Sequence, residues 1–194
     1  QRQFTIENKF DNTSNFTRRY SITYKDGTPY ILISGIGEVP VVINNCESLT
    51  ANGTWGAYGV AGNVELDTVQ MYSGNASIAF KVNIGSDQGL QNSNMTSIDL
   101  TNEKDIFYAV YLPTTTGVTG VRLGIGQSTG AYYTATTTTD FFGNALHTGW
   151  NLISVPKTAF TTGVGAPTWS GVIFTRFEVL GTFAVATSGF RFDN

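Results

Sequence analysis

The chain has 194 residues and a formal net charge of −3, and 41% of its residues are hydrophobic while only 13% are charged. This length fits one large β domain, or one domain with an appendage. Without a cluster of Lys and Arg, the charge gives no reason to expect nucleic-acid binding. No apolar run is long enough to predict a membrane span. Cys46 is the single cysteine, so we expect no internal disulfide.

The segment 1–44 differs from the rest of the chain and is predicted to be an N-terminal β-hairpin arm. Alternating apolar residues predict strands at 4–10, 18–24 and 30–33. Asp26-Gly27 is a strong hairpin signal. The arm could add to the edge of the main sheet, or it could dock on a neighbouring subunit. In the second case the subunit interface would include Phe4, Arg18 and Arg19.

The segment 45–194 is predicted to be an all-β domain of many short strands. Strand patterns lie at 78–82, 106–113, 121–126, 132–136, 150–156, 173–180 and 190–194. No stretch has a sustained helical period. Short strands at this spacing, with turn residues between them, favour a jelly-roll β-sandwich. The predicted core residues are Ile78, Phe80, Val110, Leu123, Trp150, Leu152, Phe177 and Phe192.

The order of several short motifs from Cys46 to Asp193 resembles the galactose-binding-like jelly roll, the β-sandwich of many carbohydrate-binding modules. These motifs are Cys46-Glu47-Ser48, Trp55, Asp67-Thr68, the Gly74-Asn75-Ala76-Ser77-Ile78 segment, the strand 106–113, Gly149-Trp150-Asn151-Leu152, Trp169-Ser170-Gly171-Val172 and Phe192-Asp193-Asn194. The low charge and abundant threonine are most similar to jelly rolls of tailed-bacteriophage structural proteins.

This resemblance implies a structural calcium ion. Some members of the fold hold one with a carboxylate near the first strand, loop carbonyls and an Asp on the last strand. Glu47, Asp67 and Asp193 occupy the matching places. Calcium binds six to eight oxygen ligands, which such a set could supply. Alternatively, the three residues are ordinary surface acids or turn caps.

Aromatic side chains near turns and strand ends are the candidates for ligand binding. Flat rings pack on the apolar faces of sugars, and rings also dominate protein interfaces. For Trp55, a plug over the sandwich and an exposed platform remain equally open. The candidate ligand-binding residues, for a glycan or a protein partner, are Trp55, Tyr58, Tyr72, Tyr132 and Trp169.

No pattern of catalytic residues is evident, so we expect a non-enzymatic protein. His147 is the only histidine, and the chain has no Gly-x-Ser-x-Gly elbow for a nucleophilic serine. A two-carboxylate glycosidase is harder to exclude, because two acids far apart in sequence can meet in space. The candidates for such a pair are Glu65, Asp67, Asp99, Glu103, Asp105 and Asp140.

Two functions are compatible with these features. The first is a structural protein of a bacteriophage virion, in the tail or on the capsid surface. It would form a homo-oligomer with other virion subunits, and it could contact a cell-surface glycan. The alternative is a carbohydrate-binding module of a secreted glycan-degrading enzyme. The oligomeric state distinguishes them, since a virion protein belongs to a symmetric assembly.

Overall fold

The structure is a computed structural model that describes residues 20–25, 28–33 and 41–193. The chain divides into two compact units, Gln1–Val41 and Val42–Asn194. In the first unit, strands β1 (Tyr20–Lys25) and β2 (Thr28–Ile33) pair antiparallel as a hairpin. The predicted strand at 4–10, the turn at Asp26-Gly27, and the interface residues Phe4, Arg18 and Arg19 lie outside the described residues.

The second unit contains one five-stranded and one six-stranded antiparallel sheet. The five-stranded sheet has the order β10-β7-β13-β5-β4, and the six-stranded sheet has the order β11-β9-β8-β12-β6-β3. The strands are β3 (Thr54–Tyr58), β4 (Gly62–Asp67), β5 (Ser77–Val82), β6 (Gly85–Ile98), β7 (Asp105–Leu112), β8 (Val118–Ser128), β9 (Ala131–Thr137), β10 (Gly149–Pro156), β11 (Thr161–Val164), β12 (Val172–Phe183) and β13 (Thr187–Asp193). A short 3-10 helix, Lys157–Ala159, follows β10.

The two sheets bury one apolar face each, which is why the alternating strands form a sandwich. In β5, Ile78 and Phe80 point into the core. Phe80 meets Phe177 of the opposite sheet with ring centroids 6.1 Å apart, and Phe177 stacks on Phe192 at 5.0 Å. This arrangement confirms the predicted all-β jelly-roll sandwich. In the described part of the chain, no helix has the length and apolar character of a membrane span.

Two strands, β3 and β6, form by pairing with neighbouring strands, although their own sequences do not predict strands. The strand β6 is rich in Gly, Ser and Asn, and its sequence does not predict a strand. It forms because its backbone pairs with β12 on one side and with β3 on the other. The segment with Trp55 and Tyr58 lies between glycines, which are unfavourable in strands, but it is the edge strand β3.

The predicted core is confirmed except in β10, where the inward face was assigned wrongly. Trp150 and Leu152 lie on the outer face, opposite Tyr111 and Ala109 of β7. The inward positions include Ile153 and the polar Asn151, which is why the sequence pattern misleads. Asn151 is buried because its amide donates to the carbonyls of His147 and Gly149, and its oxygen accepts the His147 N–H.

Replacing Phe80 by alanine tests the sandwich core. Phe80 is 1% exposed, so Phe80→Ala should lower the free energy of unfolding by about 3–5 kcal/mol. The matched control is Phe107→Ala, because Phe107 is 51% exposed on the same sheet and should cost much less. Urea denaturation of both variants measures the difference. Equal losses would contradict the assigned faces of the sheet.

Candidate functional site

The outer face of the six-stranded sheet carries a cluster of aromatic and charged side chains around Arg176, which we call the Arg176 face. Arg176 lies near the middle of β12, and its side chain points away from the core because Phe177 points into it. Paired residues form three rows across the strands: Gly56, Gln91, Arg176, Gly124 and Thr134; Tyr58, Gly89, Glu178, Arg122 and Thr136; and Thr54, Ser93, Phe174, Gly126 and Tyr132.

The guanidinium of Arg176 is surrounded by three aromatic rings. It lies 3.9 Å from the ring centroid of Tyr58, 4.9 Å from that of Tyr132 and 5.4 Å from that of Phe174. Such cation–π contacts are stabilising, and more so when they are shielded from water. Nη1 donates to the Tyr132 hydroxyl at 2.9 Å, and Nη2 donates to Gln91 Oε1 at 3.3 Å. These contacts hold the guanidinium in one orientation.

Glycines give this cluster its shape. Tyr132 on β9 reaches Arg176 across β8, because β8 has Gly124 between them. A Cβ at Gly124 would lie 3.2 Å from the Tyr132 ring and 3.3 Å from the Arg176 Cβ. At the other end of the row, a Cβ at Gly56 would meet no atom within 4 Å. Open space therefore lies beside Gln91 and Tyr58, where a ligand can approach the sheet.

A charged pair, Arg122 with Glu178, lies beside Arg176 on the same face. Arg122 donates through Nε to one carboxylate oxygen of Glu178 at 3.1 Å and through Nη2 to the other. Asp87 lies 3.8 Å from the same guanidinium. The hydrogen bond to Glu178 is the main reason why the pKa of Arg122 is raised, and burial opposes it. Arg122 and Glu178 thus neutralise each other.

Of the five candidate ligand-binding aromatics, only Tyr58 and Tyr132 belong to the Arg176 face. Trp55 is 6% exposed and packs on Phe192 in the core, so it is not a platform. Tyr72 packs on Trp150 of the five-stranded sheet, with centroids 5.7 Å apart. Trp169 stacks on Tyr133 at 4.5 Å. Tyr132 and Tyr133 lie on opposite faces of the sheet, since Tyr132 is paired with Gly126 and Tyr133 with Ile125.

Arg176, Gln91 and Gly56 are not among the site residues predicted from the sequence. One signal was present in the sequence: Arg176 and Glu178 are the charged residues of the largely apolar strand β12, and they lie at alternate positions. Charged residues at that spacing in a central strand share one face, so they predict a polar site on the outer face of the sheet. Gln91 and Gly56 come from strands whose sequences carry no such signal.

The acids proposed for calcium hold the loop between β4 and β5. Asp193 Oδ2 accepts the backbone N–H groups of Tyr72 and Ser73 at 2.7 and 3.0 Å, and Glu47 Oε1 accepts that of Asn75 at 2.7 Å. Cys46 is fully buried beside both acids. Burial raises the pKa of the Cys46 thiol well above its usual value, and the charges of Asp193 and Glu47 add to this effect.

Asp67 is turned towards a different partner. Its Oδ2 accepts from Arg191 Nε at 2.6 Å, and its Oδ1 accepts the N–H groups of Val69 and Gln70. Partial burial opposes ionisation, but these hydrogen bonds and Arg191 lower the pKa of Asp67. Among the described residues, no group of three or more His, Cys, Asp and Glu side chains could hold a metal ion. Asp67 is thus engaged by Arg191, and calcium at Glu47, Asp67 and Asp193 stays a prediction.

Several residues considered for catalysis make local structural contacts. Cys46 is buried, and His147 Nδ1 lies 2.9 Å from the neighbouring Thr148 carbonyl. Asp140 accepts the N–H groups of Phe142 and Asn144 in its own turn. Asp67 is paired with Arg191, as described above. These contacts are structural, and the absence of catalysis stays an expectation from the sequence.

Comparisons with known proteins identify the fold. No protein-family model matches the chain, and no curated protein matches it. A family 11 carbohydrate-binding module from Clostridium thermocellum, solved in complex with a β-1,3-1,4-mixed-linked tetrasaccharide, is similar with a TM-score of 0.53 and 17% identity. The match covers 78% of this chain and 91% of that chain. A family 11 module of a cellulosomal cellulase from the same organism matches with a TM-score of 0.49 and 15% identity, covering 80% and 94%.

The chain therefore has the β-sandwich fold of carbohydrate-binding modules. At 17% identity, this similarity extends to the fold and not to the ligand.

Removal of calcium tests the predicted ion. If Glu47 and Asp193 bind calcium, a chelator should lower the melting temperature and added calcium should restore it, because the ion binds only the folded state. Calorimetry of the protein with and without calcium measures both effects. Asp99→Asn is the control, since Asp99 accepts the N–H of nearby Thr101 and should leave the calcium effect unchanged. An unchanged melting curve in the presence of a chelator would contradict the calcium prediction.

Proposed function

We propose that the unit Val42–Asn194 binds a glycan on the Arg176 face, without catalysis. The observation that carries this proposal is the half-buried Tyr58 ring over Arg176, beside the open space at Gly56. The fold of carbohydrate-binding modules supports it as a precedent.

The chemistry of the Arg176 face suits a sugar. A pyranose ring has an apolar face that packs on an aromatic ring, and its hydroxyls need donors and acceptors. Tyr58 provides the ring, while Gln91 and Ser93 provide polar groups on the adjacent strand. The hydrogen bonds of Arg176 to Tyr132 and Gln91 orient these side chains before the ligand arrives. Preorganisation of this kind favours binding, because fewer side chains lose freedom.

Two substitutions test this site in the full chain. Tyr58→Ala removes the ring, and Gly56→Val fills the open space from a backbone that is not in the left-handed region. Both should weaken glycan binding by about tenfold or more, which corresponds to ~1.4 kcal/mol. A glycan array identifies the ligand, and titration calorimetry measures its affinity.

Tyr72→Ala is the matched control, because it removes a tyrosine ring that packs on the other sheet. Its glycan affinity should equal that of the unchanged protein. If Tyr72→Ala weakens binding and Tyr58→Ala does not, the ligand binds on the five-stranded sheet. If no glycan binds, the proposed function fails.

The biological setting of the domain is proposed from the sequence. We retain the bacteriophage virion, with the chain as a homo-oligomeric component of the tail or capsid surface, as the first setting. The module of a secreted glycan-degrading enzyme is the alternative. Glycan binding fits both settings, so the oligomeric state must separate them.

Light scattering of the full chain and of a 45–194 fragment tests the setting. A virion component should form a symmetric oligomer as the full chain, because an arm with exposed strand edges pairs with a neighbouring subunit. The fragment should then be a folded monomer. A monomeric full chain would favour the isolated module, and an unfolded fragment would mean that the arm belongs to the sandwich.

A further inference from the structure

Arg176 differs from the other two arginines of the segment 41–193. Arg122 pairs with Glu178, and Arg191 pairs with Asp67. No carboxylate of the described residues lies within ion-pair distance of Arg176. Yet Arg176 is buried, with only 6% of the residue exposed, whereas Arg122 and Arg191 are half-buried. The most buried of the three guanidinium groups is therefore the one without a counter-charge.

The burial of Arg176 is only partly compensated by its cation–π contacts and hydrogen bonds. Burying a cation removes its hydration, and neutral hydrogen bonds restore only part of that energy. Two of the Arg176 nitrogens donate to neutral groups, on Tyr132 and Gln91. Its Nε has no hydrogen-bond partner among the described residues. Glu178, the acid nearest in sequence on the same face, is already bound by Arg122 through both oxygens.

We propose that the glycan bound at the Arg176 face carries an anionic group, and that this group pairs with the Arg176 guanidinium. This inference rests on the proposed function and specifies its ligand class. A guanidinium presents parallel N–H donors that match two oxygens of a carboxylate or of a sulfate ester. Both groups occur on saccharides, so an acidic sugar or a sulfated sugar would provide the missing charge. Tyr58 would pack on the sugar ring that carries the group.

The test compares saccharides that share a backbone and differ in charge. Oligogalacturonate is compared with its methyl ester, and dextran sulfate is compared with dextran. Titration calorimetry of the full chain should give an affinity at least about tenfold higher for the charged member of one pair, because charge-assisted hydrogen bonds are about twice as strong as neutral ones. Preference within the first pair identifies a carboxylate, and preference within the second identifies a sulfate.

Variants of Arg176 connect this preference to the site. Arg176→Gln should abolish the charge preference, and Arg176→Lys should restore part of it, because lysine keeps the charge without the two parallel donors. Lys81→Gln is the charge-matched control on the five-stranded sheet, and it should keep the preference. If Arg176→Gln does not fold, the charge preference is measured on the unchanged protein. Loss of saccharide binding in Tyr58→Ala then assigns the binding to the Arg176 face.

The outcomes separate the inference from the function on which it rests. Equal affinity for the charged and neutral members overturns the inference and leaves glycan binding intact. Loss of the preference in Lys81→Gln as well as in Arg176→Gln also overturns it, since attraction would then follow net charge. No binding to any of these saccharides or to the glycan array overturns both. A preference that Arg176→Gln alone removes supports the inference.

Discussion

The alternation of side chains along β12 is the constraint on which the rest of the structure depends. This strand lies inside the six-stranded sheet and is paired on both sides, with β6 and β8. Phe177 must point into the core to meet Phe80 and Tyr108 of the opposite sheet. A shift by one residue would place Arg176 in that core, so the register is strongly determined. The same requirement that buries Phe177 directs Arg176 to the outer face.

Glycines in the neighbouring strands determine the rest of the candidate site. Side chains on the outer face would normally fill the space beside Arg176, but β8 and β3 place glycines in the same row. Gly124 lets Tyr132 reach the guanidinium, and Gly56 leaves space at the edge of the sheet. The aromatic groups that hold the cation and the opening beside it therefore have one origin, the absence of side chains at defined positions of the sheet.

In the five-stranded sheet, carboxylates rather than a disulfide hold the loop between β4 and β5. Asp193 at the end of β13 and Glu47 before β3 both accept N–H groups of the loop that joins β4 to β5. The ion pair of Arg191 with Asp67 attaches the start of that loop to the same strand β13. Charge-assisted hydrogen bonds are stronger than neutral ones, so these contacts attach the start and the end of the domain's chain to one loop. The sequence resemblance selected these three acids, but their partners could not be read from it.

By itself, the sequence determined the class of the fold and most of the core. The apolar patterns of β5, β7, β8 and β12 are local, and they predict strands without knowledge of their partners. The assignment of the buried face failed in β10, because the polar Asn151 is buried by hydrogen bonds that depend on a folded loop. Only the tertiary structure decided the site. Tyr58, Gln91, Tyr132 and Arg176 come from four strands, and no local pattern links them. They meet because strand order and register place them in adjacent rows, and these are set by packing between the sheets rather than by local sequence.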